Sequence, residues 1–442
     1  MSYSVSKPKI NPFTSGAGGL KADGSPDDND RVEIGPTHIA FEEWQRAGLQ
    51  PPNLERMREH RLARVVAQLQ QRDYAGVLLF DPLNIRYACD STNMQVWTLH
   101  NYSRAVFVSA SGKVILWDYH RCEHVSAHLH RIDEIRHGAG FFYFETGDQT
   151  DQYAQDFAKQ IDGVLREHGG DNRRLAIDKM EVAGIQSLQK LGVDIKSGQQ
   201  VMEHARVVKG PEDIKAMRCA IYSCEQAMAE MHSAMTPGMT EVELWSHLHA
   251  GNIRRGGEWI ETRIFSSGPR TNPWMQECGP RIIQNGDIVS FDTDMVGPYG
   301  MCADISRSWI CGDKKPTDEM RRVYQMSREH VETNMRLLAP GVPFKELTFG
   351  GHMLPDEFVA QRYGVKMHGI GLCDEFPAIY YPEDYIDNAF DYELEAGMTL
   401  CVEVYAGEVG SSVGIKIEQQ VLVTETGYEC LSQFPYDERL MA

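Results

Sequence analysis

No stretch of the 442 residues approaches the ~20 consecutive apolar side chains that a bilayer-crossing helix needs, so no membrane span is expected. Basic side chains are the scarce charge: 44 Lys and Arg stand against 63 Asp and Glu, for a formal net charge of −19. Phosphate backbones and anionic membranes are bound through basic footprints, and none is found here, so nucleic-acid and membrane partners are excluded. The ten cysteines are scattered, with no C-x-x-C pair and no clustered framework. That is the usage of a reduced compartment, in which each thiol reads first as small apolar filler. The opening MSYSVSKPKINPF has no apolar core and no small-residue cleavage site, so a cytoplasmic location is expected. Small-molecule chemistry is left by elimination.

What is present is an ordinary globular composition, 42% hydrophobic and 24% charged, over a length that one core rarely organises. Residues 1–35 are rich in Gly, Ser, Pro, Asp and Lys and carry no hydrophobic period, so they read as an arm. The segments YAGVLLF (74–80), RAVFVSA (104–110) and GKVILWDY (112–119) read as strands alternating with helices at 54–71 and 150–168. An α/β domain is therefore expected over 36–205. A helix start in VVKGPEDIKAMRCA (207–220) marks the junction, and the second domain spans 206–442. Thr240 with Glu243 forms a capping-box pattern, and another helix runs from about Thr317 to Leu338, stopped by Pro340 and Gly341. Between these helices, DIVSFDTDM (287–295), CADISRSWI (302–310), MTLCVEVYA (398–406) and GIKIEQQVLVTE (414–425) read as strands. The fold class is α+β, helices laid against an acid-bearing sheet.

Those strands carry Asp292, Asp294, Asp304, Glu403 and Glu418, and His368 lies between the second and third of them. Five carboxylates and one imidazole form the donor set of a two-metal site, in which ions about 3.5–4 Å apart neutralise acids that would otherwise repel one another. Alternation along a strand puts Asp292 and Asp294 on one face. In LCVEV it sets Glu403, with Cys401, opposite Leu400, Val402 and Val404, and Glu418 is likewise flanked by Ile415 and Ile417. A carboxylate in an apolar strand is costly unless paired, hydrogen-bonded or coordinated. Taken singly, each reads as an edge-strand or salt-bridged acid; order and surroundings together lift them above that reading.

The motifs FDTDMVGPYGMCADISRS, MHGIGL, LEAGMTLCVEV and GIKIEQQVLVTETGYE, over about 205–430, resemble the metallopeptidase family that includes methionine aminopeptidase, prolidase, aminopeptidase P and creatinase. NIRYACD (84–90) is similar to the N-terminal domain of its creatinase and prolidase branch. The resemblance implies a C-terminal pita-bread catalytic domain behind a creatinase-like N-terminal domain. It also implies two metals on the equivalents of Asp294, Asp304, His368, Glu403 and Glu418. Three departures stand out. SSGPRTNPWMQ (266–276) has no histidine near Trp274, HGIGLCDEFP puts Asp374 where the peptidases keep a second histidine, and Glu403 is followed by Val404-Tyr405 rather than Pro-Gly. Asp292 is an extra carboxylate that competes with Asp294 for the first-ligand role. A site lacking both histidines is poorly equipped to stabilise and protonate a tetrahedral amide intermediate.

This pattern is similar to the dimethylsulfoniopropionate lyases of the same fold, the DddP type. That resemblance implies β-elimination to dimethyl sulfide and acrylate, with two metals holding the carboxylate of the zwitterion and Asp374 abstracting the α-proton. It implies iron as the metal, although carboxylates with one imidazole also suit manganese, cobalt and zinc, and it implies a homodimer. Tyr363 is assigned to orienting Asp374, and Trp274, Tyr363, Tyr380 and Tyr381 are candidates for cation–π contact with the sulfonium. The competing readings are a metal-dependent Xaa-Pro or creatinase-like hydrolase and a non-catalytic binding module.

Overall fold

In the computed structural model, residues 4–5, 20–26 and 34–441 are described. Most of the arm expected over 1–35 lies outside them. Two compact units emerge, one of residues 1–34 and 53–206, the other of residues 35–52 and 207–442.

The first unit is built on a seven-stranded mixed sheet. Its strands are β1 (Ser4–Val5), β2 (Gly76–Leu79), β3 (Ala105–Ser109), β4 (Val114–Asp118), β5 (Glu134–His137), β6 (Arg174–Ile177) and β7 (Asp194–Ser197), in the order β1-β5-β4-β3-β2-β6-β7. The strands β2, β3 and β4 are buried at every residue, as expected of a sheet covered on both faces. The helix Leu54–Gln71 starts where the Asn53 side chain accepts from Arg56 N, and Thr150–Gly169 presents Ala154, Phe157, Ile161 and Leu165 to the core at helical spacing. That core joins them to Leu78, Phe107, Ile115 and Trp117 from the sheet.

In the second unit, the Thr240–Glu243 capping box opens the helix Glu241–Arg254. Asp213 accepts from Gly210 N ahead of Pro211–Ala234, and Thr317 caps Asp318–Met335. Two three-stranded sheets follow. One has the order β13-β10-β9, from β9 (Phe265–Ser267), β10 (Ile288–Phe291) and β13 (Arg307–Ile310); the other has the order β12-β11-β8, from β8 (Trp259–Ile260), β11 (Met295–Val296) and β12 (Cys302–Ala303). A five-stranded antiparallel sheet completes the unit: β14 (Val365–Ile370), β15 (Asp374–Tyr380), β16 (Thr399–Gly407), β17 (Gly414–Thr424) and β18 (Gly427–Cys430), in the order β15-β14-β16-β17-β18. One face of this sheet, with Met367, Leu400, Val402, Val404, Ile415 and Ile417, packs into the main core with Val323, Tyr324 and Val331 of the helix Asp318–Met335. The other face carries the acids.

Two expectations are corrected. Residues 36–52, placed by the sequence at the start of the N-terminal domain, belong to the second unit. The reason is docking of the helix His38–Arg46: Trp44 Nε1 donates to Cys219 O at 3.0 Å, and Arg255 grips Glu43 at 2.7 and 2.9 Å. In addition, DIVSFDTDM and CADISRSWI are not continuous strands. Each breaks at its aspartates, between Phe291 and Met295 and between Ala303 and Arg307.

Candidate metal centre and active site

Register builds half of the site. β16 pairs with β17 so that Glu403 lies opposite Glu418, and β14 pairs with β16 so that His368 lies opposite Cys401. All four side chains project from the face away from the main core. The other half comes from the strand breaks. Asp294 takes a left-handed backbone at φ 35, its carboxylate accepting from Thr262 Oγ1. Thr293 Oγ1 ties the two breaks together, donating to Ala303 O at 2.8 Å and accepting from Ile305 N at 2.9 Å. Asp292 and Asp294 therefore converge through a turn and not through strand alternation. The result is two overlapping groups, Asp292, Asp294 and Asp304, and Asp304, His368, Cys401 and Glu418. Within each group the ligand atoms lie within 4.8 Å of one another.

All six sequence-named candidates are at most 8% exposed. His368 Nε2 lies 3.6 Å from Asp304 Oδ2, 3.4 Å from Glu403 Oε1 and 3.4 Å from Glu418 Oε1. Its Nδ1 is 3.0 Å from Gly369 O, so donation there would leave the Nε2 lone pair free for a bound ion. Asp304 Oδ1, Glu403 Oε1 and Glu418 Oε1 are buried without a hydrogen-bond partner. A charged oxygen left so is costly, and coordination to a cation removes the cost. The side chains thus fit a divalent-metal site.

The sequence reading missed Lys416. Its ammonium is fully buried, 2.8 Å from Asp292 Oδ2, 2.8 Å from Glu403 Oε2 and 3.2 Å from Glu418 Oε2. Ser306 Oγ, 2.7 Å from both Asp292 Oδ1 and Glu418 Oε2, completes the clamp. The glutamates therefore divide their oxygens, Oε2 toward the ammonium and the orphaned Oε1 toward His368. The signal for Lys416 was the alternation used for Glu418, which puts residue 416 on the same face.

Burial raises Asp294 and Asp304 well above the ordinary aspartate range, and neighbouring carboxylates raise them further. Burial pushes Glu403 up to about 8 even against the pull of Lys416. Glu418 suffers the same burial, yet Lys416 and His368 hold it well below the usual range. Burial opposes the charge on Lys416, but Asp292, Glu403 and Glu418 hold it well above an ordinary lysine.

Asp374 begins β15, with Oδ1 3.7 Å from His368 Nδ1. Its side chain is 51% exposed, unlike the six, so it reaches solvent and the site together. Partial burial raises its pKa against the pull of His368, and Glu418 adds to the rise. A cavity of about 570 Å³ is lined by Pro273, Trp274, Met275, Gln361, Arg362 and Tyr363. Lys416 Nζ lies 5.1 Å from the Tyr363 ring centroid and 5.5 Å from that of Trp274, whose indole also stacks on Tyr405. Two aromatic candidates lie elsewhere. Tyr381 is 1% exposed in the main core with its hydroxyl 3.4 Å from His330 Nε2, and Tyr380 packs on Phe390 at the far end of β15 from Asp374. Tyr381, one residue past the end of β15, is buried in the main core and has no open face for a ligand.

The model of the creatinase/prolidase N-terminal domain matches residues 61–208, and that of metallopeptidase family M24 matches residues 215–425. The dimethylsulfoniopropionate lyase DddP of Roseovarius nubinhibens is 51% identical over 96% of this chain and 96% of its own length. The chain belongs to metallopeptidase family M24. The DddP lyase of Roseobacter denitrificans is 50% identical over the same shares of both chains. Among solved structures, the Xaa-Pro dipeptidase from Bacillus anthracis superposes with a TM-score of 0.67 at 21% identity, over 85% of this chain and 98% of that one. At that identity the likeness is one of fold, the creatinase-type N-terminal domain followed by the M24 pita-bread domain.

Proposed function

We propose that this chain is a metal-dependent dimethylsulfoniopropionate lyase, releasing dimethyl sulfide and acrylate. The observation that carries this is the 51% identity, over 96% of both chains, to a protein described as that lyase. The geometry supports it through Asp374, a half-exposed carboxylate 3.7 Å from His368 Nδ1 at the solvent-reached side of the centre.

Asp292, Asp294, Asp304, His368, Glu403 and Glu418 would hold two divalent ions, with iron the proposed metal from a donor set that also suits manganese, cobalt and zinc. When bound, the ions supply a positive anchor and charge sink for the substrate carboxylate. Asp374 takes the α-proton, the Cα–H electrons form the double bond, and the Cβ–S pair leaves with sulfur as a neutral thioether. Half exposed, Asp374 then returns its proton to solvent. Tyr363 keeps its phenol neutral, since burial raises it strongly. It presents the ring face not taken by Lys416 to the sulfonium, a contact worth ~0.5–2 kcal/mol. Trp274, engaged by Tyr405 and Lys416, shapes the cavity wall. A homodimer and a cytoplasmic location belong to the same proposal; among the described residues no helix is long and apolar enough to cross a membrane.

The test is to incubate purified, iron-loaded protein with dimethylsulfoniopropionate in a sealed vial and to measure headspace dimethyl sulfide and dissolved acrylate. Equal amounts of both, lost on chelation, are expected. Neither product with metal bound, and proline released from Xaa-Pro dipeptides instead, would overturn the reading in favour of a hydrolase. Light scattering of the eluting protein measures the dimer.

A further inference from the structure

Sulfur stands among the oxygens of this centre. The register sets Cys401 directly beside His368 across β14 and β16, and alternation gives it the same face as Glu403. Its thiol is fully buried, walled by Cys302 and Ile370, and its polar contact is a long one, 3.8 Å to Asp304 O. Sγ lies within 4.8 Å of ligand atoms of Asp304, His368 and Glu418. Two of those three partners, Asp304 at 2% exposure and Glu418 at 0%, carry an orphaned oxygen.

We propose that Cys401 is a latent sulfur ligand that lets the Asp304–His368–Glu418 half of the centre capture a thiophilic divalent ion, such as Cd²⁺, through one sulfur, one nitrogen and two oxygens. The inference rests on the metal-centre reading above and adds a donor to it. Hard and borderline ions are satisfied by the carboxylates and imidazole, and the thiol then stays protonated as filler. A soft ion gains more from thiolate than from a further oxygen. In the binding step the S–H bond breaks, its proton leaves to the buffer and a metal–sulfur bond forms, with no change of oxidation state. An ion so held blocks the site for the catalytic metal, so the lyase is inhibited by thiophilic metals through its own active-site cysteine.

Chelated protein is titrated with Cd²⁺ while the ultraviolet thiolate-to-cadmium charge-transfer absorption is followed, and separately with Mn²⁺, followed by the loss of its free-ion paramagnetic resonance signal. The wild type should develop a saturable band. Cys401→Ser and Cys401→Ala should lose that component and bind Cd²⁺ more weakly by on the order of 10–100-fold, while Mn²⁺ affinity stays within about twofold. Cys302→Ser serves as control and should keep the band. The more accessible Cys122, Cys373 and Cys430 give a background common to all variants. X-ray absorption of Cd²⁺-loaded protein should show a sulfur neighbour that is absent in Cys401→Ser. Cd²⁺ binding with an undiminished band in both Cys401 variants, or no sulfur neighbour in the wild type, overturns the proposal while leaving the metal centre intact. A wild type that binds neither Cd²⁺ nor Mn²⁺ overturns the metal-centre reading itself, and this inference with it.

Discussion

A base has to be reachable by protons while the charge it serves is kept from water, and Asp374 is the candidate that meets both conditions. Its 51% exposure and 3.7 Å approach to His368 separate it from the five acids and one imidazole buried behind it. Asp374→Asn is expected to keep fold and metal content while lowering dimethyl sulfide release by about 10²–10⁴-fold, the usual worth of a general base. Retained lyase activity in the asparagine variant would remove Asp374 from the role. Asp294→Ala or His368→Ala should instead lose metal and activity together, measured by metal analysis of the purified variants. Lys416 calls for a different readout, because it holds the oxygens turned away from His368. Lys416→Met leaves Asp292, Glu403 and Glu418 facing one another without a cation, at a cost of roughly 3–5 kcal/mol in the chelated protein. The gap in melting temperature between metal-loaded and chelated protein should therefore widen in that variant; an unchanged gap would mean that the ammonium carries no share of the charge balance.

At the scale of elements, the helix Asp318–Met335 meets Tyr381, the residue after β15, at a buried imidazole. His330 is fully buried, its Nδ1 3.2 Å from His352 Nδ1 and its Nε2 3.4 Å from the Tyr381 hydroxyl, with Lys366 adding positive charge nearby. Burial first, then Lys366 and His352, lowers its pKa well below 6.5. The folded state therefore keeps His330 neutral while the unfolded chain takes up a proton below about pH 6.5. Stability is lost as pH falls through that value, at no more than about 1.4 kcal/mol per pH unit. Urea unfolding at pH 7 and pH 5 should show His330→Gln gaining on the wild type at the lower pH; a constant difference would mean that His330 is protonated in the folded protein.

The same elements show what the sequence made legible. Alternation in LCVEV and GIKIEQQ was enough to place Glu403 and Glu418 on one face, because pleat periodicity is a local property. It applies equally to Lys416, but an ammonium among metal-binding carboxylates is unexpected from composition. For the meeting of Asp292 with Asp294, the same periodicity predicts a continuous strand. The meeting comes instead from a left-handed residue held by Thr262 and Thr293, contacts to residues 32 and 10 positions from their partners. The allegiance of residues 36–52 was hidden for a related reason, since Trp44 and Glu43 find their partners 175 and 212 positions along the chain. Tyr381 neighbours the site in sequence, yet its side chain is buried in the main core against His330.

For the whole molecule, each unit carries its own hydrophobic core, one around Phe107 and Trp117 and one around Val402 and Ile417, and all six proposed ligands come from the second. A metal that binds the folded second unit and not its unfolded chain would stabilise it by RT ln(1 + [L]/Kd), about 4 kcal/mol at a thousandfold excess over Kd. Hydrogen exchange monitored by mass spectrometry separates the units. Peptides spanning β16 and β17 should exchange faster after chelation, since their opening then no longer requires metal release, whereas peptides spanning β3 and β4 should be unaffected. Restoring the metal should restore protection in β16 and β17 alone. Equal acceleration in both sets would mean that the two cores open as one cooperative body and that the metal's stabilisation reaches the N-terminal sheet. No change in either set would remove Glu403 and Glu418, the residues that β16 and β17 bring to the centre, from the ligand set.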